Sequence, residues 1–243
     1  MNWPPPVSRD LTTLRADDEM TGLNAARPQG SVEAAPGAQV VALFNDLAHE
    51  CSNFIRSAHA VVGCVAWLTN REILATLATR PSLLIVQKED FLRPDLVAGD
   101  RAPVDPTDLR RRYARIPVVE PYAVPGLRRI SYATGWDSGG AVRCMGTKPP
   151  GQQAWPRMHH KFLIALRAES GPDGKSGDLD PVAVWTGSLN PTATGLRSLE
   201  NVVIIQDRLI ASRYLDEFCW VTALSEPLDW SSKWVSPELR FGT

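Results

Sequence analysis

The chain has 243 residues and a mass of 26.7 kDa, close to the size at which a single hydrophobic core stops growing, so one α/β-sized domain is expected rather than two. Apolar residues at 44% and charged residues at 22% exclude a disordered, collagenous or coiled-coil chain. With 26 basic and 27 acidic side chains the formal net charge is -1, so there is no global footprint for nucleic acid or an anionic membrane, and any polyanion site is local.

Residues 1–36 carry five prolines and no sustained periodicity, and are expected to form a flexible arm before a single domain over 37–243. The start shows no secretory signal, so a cytoplasmic location is expected. From Ala38 to Ser57 the apolar positions Val40, Phe44, Leu47, Cys51, Phe54 and Ile55 recur at three- and four-residue steps, which predicts one amphipathic helix. Ala60 to Leu68 reads as a buried strand, and its nine residues fall well short of the ~20 needed to cross a bilayer as a helix. Asn70 is placed to cap a helix over Arg71 to Leu77, and Ser82 to Gln87 completes a strand, helix, strand unit of the kind that builds parallel sheets.

The region 88–156 is irregular and rich in proline, with a helix expected at Asp108 to Arg115 and a strand near Leu127 to Tyr132. Strands are expected again at Met158 to Leu166, Val182 to Trp185 and Val202 to Gln206, followed by a helix from Arg208 to Ala223. Four cysteines, Cys51, Cys64, Cys144 and Cys219, stand far apart without a C-x-x-C pair and are expected to be reduced and structural.

The segment that carries chemistry is M-H-H-K-F-L-I at 158–164, followed by W-T-G-S-L-N at 185–190 and L-E-N-V-V-I at 199–204. Side chains alternate along a strand, so His159 and Lys161 share one face while His160 and Phe162 share the other. An imidazole beside a fixed ammonium suits a phosphodiester reaction, in which one group attacks phosphorus and the other neutralises charge on the non-bridging oxygens. Ser188 and Asn190, again two apart, add neutral donors.

These segments resemble the phospholipase D superfamily, whose signature is H-x-K-x4-D-x6-G-S-x-N with a downstream Glu before Asn and an apolar strand. His159, Lys161, Gly187, Ser188, Asn190 and Glu200 match as they stand. The resemblance implies a mixed, mostly parallel α/β sheet with helices on both faces, and a metal-independent phosphodiesterase needing no cofactor. Because family members with two motif copies build one site from both, this chain with one copy is implied to be a homodimer. His159 would attack to give a phosphohistidine, and the second copy's histidine would protonate the leaving oxygen. Lys161 and Asn190 would hold phosphoryl oxygens, Ser188 would add a hydrogen bond, and Glu200 would orient His159. Two departures stand out: Leu166 occupies the motif's Asp position, and 25 residues rather than eleven separate Lys161 from Gly187. The extra fourteen fit residues 167–180, whose Gly, Asp and Pro content predicts an extended hairpin loop.

Other features are weighed against plainer readings. His160, facing away from His159, reads as a hydrogen-bonded packing residue. D-S-G-G at 137–140 with His49 lacks the strand context of a serine protease, and His159, His160 and Cys144 lack the spacing of a zinc site, so no metal ligand is assigned. Between Thr107 and Arg129 six arginines face two acids; Arg110, Arg111, Arg112 and Arg115 are taken as candidate phosphate contacts, the alternative being a solvated helix face. Trp136 and Trp155 could stack on bases but are assigned no role. The leading expectation is a nuclease acting on DNA or RNA without stable membrane association. The alternatives are a phospholipase or phosphatidyl transferase, and a degenerate nucleic-acid-binding module.

Overall fold

A computed structural model describes residues 31–89, 92, 105–128, 139–146, 158–170 and 176–228. The strands are β1 (Gln39–Leu43), β2 (Ala60–Val65), β3 (Ser82–Gln87), β4 (Val142–Met145), β5 (Lys161–Ser170), β6 (Ser176–Gly187), β7 (Val202–Gln206) and β8 (Glu226–Pro227). The α-helices are α1 (Leu47–Ser57), α2 (Arg71–Leu77), α3 (Pro106–Tyr113) and α4 (Arg208–Ala223). The strands form one sheet in the order β1-β7-β6-β5-β2-β3-β4-β8.

β2 sits inside this sheet and is buried on both faces, as its unbroken Val-rich run requires. On one face, Val61 and Val65 pack with Ile55 of α1, Ile73 and Leu77 of α2, and Leu109 and Tyr113 of α3. On the other, Ala60, Val62 and Cys64 pack with Ala211, Leu215 and Phe218 of α4. Helices therefore cover both faces. Asn70 caps α2, accepting from the Ile73 amide at 3.0 Å, and Asp207 caps α4 through Ile210 at 2.8 Å. All four cysteines are buried.

The sheet is mixed but not mostly parallel. β2–β3 and β3–β4 are parallel, whereas the other five pairings are antiparallel. The β2-α2-β3 unit is parallel as expected, but β5, β6 and β7 follow one another as an antiparallel meander, and β5 also runs against β2. The single helix expected over Ala38–Ser57 is instead strand β1 followed by α1. Asp46 breaks the run with a left-handed φ of 51°, and the β-branched pair Val40-Val41 lies in an edge strand against β7. Of the segment 167–180, residues 167–170 and 176–180 extend the β5–β6 hairpin as paired strand, Arg167 opposite Asp180 and Ala168 opposite Leu179, and the rest lies outside the described residues. Of the strand expected at Leu127 to Tyr132, Leu127 and Arg128 are helical and the rest lies outside the described residues, as do residues 1–30, Arg129, Trp136 and Trp155. Among the described residues no helix is long and apolar enough to cross a membrane.

Gly63 lets β2 and β5 approach: a Cβ there would stand 2.3 Å from the Phe162 carbonyl oxygen, on backbone that cannot yield. Gly63→Ala is expected to cost about 3 kcal/mol or more, the upper range for a single substitution. Urea unfolding monitored by circular dichroism checks this; a midpoint equal to wild type would show that the two strands can part.

Candidate active site

Neighbouring antiparallel strands bring the start of one to the end of the next, and the motif uses this three times. Lys161 opens β5, Gly187 closes β6, and Glu200 stands two residues before β7; Phe162 pairs with Thr186 and Gly187 with Val202. His159, Lys161, Ser188, Asn190 and Glu200 therefore lie at one end of three adjacent strands. Gly187 is required by packing, because a Cβ there would stand 2.2 Å from the Asn201 carbonyl oxygen.

His159 is exposed on the segment leading into β5. Lys161 Nζ lies 3.2 Å from its Nδ1, 3.1 Å from its Nε2 and 3.1 Å from its carbonyl oxygen. An ammonium can donate to an imidazole only where a ring nitrogen is unprotonated, so this contact belongs to neutral His159. The protonation balance agrees: desolvation first, then the charges of Lys161 and His160, lower the His159 pKa. Desolvation also lowers that of Lys161, while the charge of Glu200 opposes the change.

The loop between β6 and β7 is fastened to itself. Ser188 Oγ donates to Glu200 Oε2 in a short hydrogen bond and accepts from the Asn201 amide at 3.1 Å. Glu200 thus accepts from Ser188 within one chain, while its expected orienting contact is with His159. Asn190 presents a buried amide oxygen without a hydrogen-bond partner. The next carbonyl, of Pro191, accepts from the amides of Thr69 and Asn70 at 2.9 and 2.8 Å, tying this loop to the start of α2.

Three residues at this end escape a reading of the sequence because long-range contacts, their own or a neighbour's, place them there. Gln87 Oε1 accepts from the Met158 amide at 3.0 Å and so anchors the residue before His159. Trp67 lies nearly perpendicular to His159, with ring centroids 5.6 Å apart. Arg71, next to the clamped Asn70, is 77% exposed and bridges to Asp108 of α3 at 3.7 Å.

Asp108 also receives Arg111 and Arg112, so three guanidiniums converge on one carboxylate beside the motif loop. Arg110 donates to the Leu92 carbonyl at 3.1 Å and lines a separate 480 Å³ cavity with Tyr113, Gly139 and Val142. Arg115 is exposed at the far end of α3. Of the four expected phosphate contacts, the structure thus brings Arg111 and Arg112 toward the site through Arg71 and turns Arg110 elsewhere. His160 pairs with Glu217 of α4 at 2.9 Å and packs against Phe162, as its place on the opposite face requires. Leu166 is fully buried among Ala60, Ile164 and Val184, five residues along β5 from Lys161, or roughly 16 Å at strand rise. A side chain there does not reach the site.

No family model matches the chain. A curated relative, "Uncharacterized protein L381" of Acanthamoeba polyphaga mimivirus, is 30% identical over 210 residues, spanning 81% of this chain and 70% of that protein. The chain belongs to the family of this mimivirus protein. Solved structures similar to this family member include Nuc from Salmonella typhimurium, a phospholipase D family member (TM-score 0.44, 14% identity, 74% of this chain and 91% of that one). Another is phosphatidylserine synthase from Haemophilus influenzae (TM-score 0.44, 15% identity, 83% and 42%). Both superpositions are loose. The likeness to the phospholipase D superfamily is one of motif: the matching residues stand in that signature's order and lie at one end of the sheet.

Lowered basicity has a direct readout. His159 is expected to titrate by NMR below the ordinary histidine value of about 6.5, and Lys161→Met to move that midpoint upward. A midpoint at or above the ordinary value in wild type would contradict the neutral pair.

Proposed function

We propose that this chain is a metal-independent phosphodiesterase that cleaves nucleic acid as a homodimer. The observation that carries the reading is the close pair of Lys161 ammonium and neutral His159 imidazole, with Asn190 and Glu200 at the same strand ends. A ring nitrogen of His159 donates its lone pair to phosphorus, forming a P–N bond as the P–O bond to the leaving group breaks. Lys161 and Asn190 hold the non-bridging oxygens. The leaving oxygen takes a proton from the same histidine of a second copy, held as imidazolium. Water then gives a proton to that imidazole, and its oxygen attacks phosphorus, breaking the P–N bond and freeing His159.

A second copy is needed because one chain supplies one such histidine. His160 is committed to Glu217, His59 accepts from the Ala168 amide at 2.9 Å, and His49 lies within α1. Attack and departure occur on opposite sides of phosphorus, so nucleophile and acid are different groups. Burial of the motif's Asp position as Leu166, far along β5, favours a working site over a degenerate one. Nucleic acid is favoured as substrate by Arg71, Arg111 and Arg112, three cations on one carboxylate beside the Asn190 loop. An excess of two positive charges there suits a polyanion whose phosphates continue beyond the scissile one.

The test is cleavage of single- and double-stranded DNA and RNA in excess EDTA, with the mass of the native protein measured alongside. EDTA-resistant cutting by a dimer, abolished in His159→Ala and made less salt-sensitive in Arg71→Ala with Arg111→Ala, is expected. Intact nucleic acids beside hydrolysis of a phospholipid would contradict the substrate. Binding without turnover of either would contradict the enzyme.

A further inference from the structure

Nothing described so far fixes the plane of the His159 ring. Its second torsion is broad and two-fold, so an imidazole held only by its backbone samples many orientations. Glu200 is engaged by Ser188 in the same subunit, and Lys161 meets the ring from a flexible four-carbon stem. Among the described residues one rigid group touches His159: the Trp67 indole, at an interplanar angle of 78°. This perpendicular arrangement is the one that aromatic quadrupoles favour.

Trp67 is itself held. Its indole N–H donates to Glu89 Oε1 at 3.2 Å, and its ring packs against the core on the α4 side. The backbones that carry the pair are tied together as well. The Ala66 amide donates to the His160 carbonyl at 2.9 Å, the Gln87 amide to the Ala66 carbonyl at 3.0 Å, and the Met158 amide to the Gln87 side chain. The residue before the indole and those on both sides of the imidazole are thus joined in one frame built on the ends of β2 and β3.

We propose that Trp67, braced by Glu89, is the positioning residue that fixes the His159 imidazole plane for attack on phosphorus. This rests on the phosphodiesterase reading and deepens it. The indole touches no reacting atom; it acts through His159 by removing the ring's rotation, so that the nitrogen lone pair is aimed before substrate arrives. Because an indole also accepts an imidazolium favourably, the same brace serves the histidine in its acid role.

Two independent readouts test it. In steady-state cleavage, Trp67→Leu is expected to lower kcat by roughly ten- to a hundredfold, the scale of a small misplacement of a reacting group, with KM within a few-fold of wild type. Trp67→Phe, which keeps a ring, recovers most of that rate. Glu89→Gln retains an oxygen for the indole and stays close to wild type, whereas Glu89→Leu falls toward Trp67→Leu. Equal kcat in the Leu and Phe variants, or a loss confined to KM, would overturn the proposal. The second readout needs no substrate. The ring protons of His159 carry an indole ring-current shift in wild type that disappears in Trp67→Leu and persists in Trp67→Phe. Unchanged His159 resonances in Trp67→Leu would overturn the brace even if the enzyme proves active. Should no phosphodiester be turned over, the functional reading fails while these resonances still decide the contact. If Trp67→Leu does not fold, the Glu89 pair carries both arms.

Discussion

A lysine ammonium held against a neutral imidazole at the open end of a sheet is the constraint on which the rest of this structure turns. Two groups that both bind protons are pressed together, and partial burial raises the cost of charging either. The balance favours a neutral imidazole at His159, whose unprotonated nitrogen accepts from Lys161. Glu200 opposes the lowering at Lys161.

Antiparallel order around β5, β6 and β7 brings this about. Reversing direction at each strand returns the chain to the same sheet end, so residues far apart in sequence meet without a long loop. The close approach at Gly187 and the clamp from Pro191 to Thr69 and Asn70 then hold the β6–β7 loop over the pair. The described residues of the fourteen-residue insertion, 167–170 and 176–180, lengthen both strands at the opposite end of the β5–β6 hairpin, away from the motif.

Legibility in the sequence followed the range of the interactions. α2, α4, β3 and β7 stand where periodicity and capping residues place them, because those signals are local. β1 was misread as helix because Val40, Phe44 and Leu47 fall at helical spacing, and nothing in the sequence announces the left-handed turn at Asp46. Strand direction was misread because it depends on pairing partners rather than on any strand's own residues. In the site, His159 and Lys161, like Ser188 and Asn190, were visible through their spacing of two. Trp67 and Gln87 were not, since each meets the motif segment across 70 or more residues of sequence, and Arg71 is placed there only by the tie of its neighbour Asn70 to Pro191. The retained hydroxyl of Ser188 was legible, but its commitment to Glu200 depends on the loop's closure in space.

The central claim is that His159 forms a bond to phosphorus. It is tested most directly by mixing the protein with an oligonucleotide substrate in excess EDTA, quenching with base, and measuring the intact mass and its site by mass spectrometry. The account predicts a base-stable, acid-labile adduct of nucleotide mass on His159, absent from His159→Ala. Turnover without that adduct under conditions that slow the water step, or an adduct on another residue, would contradict it.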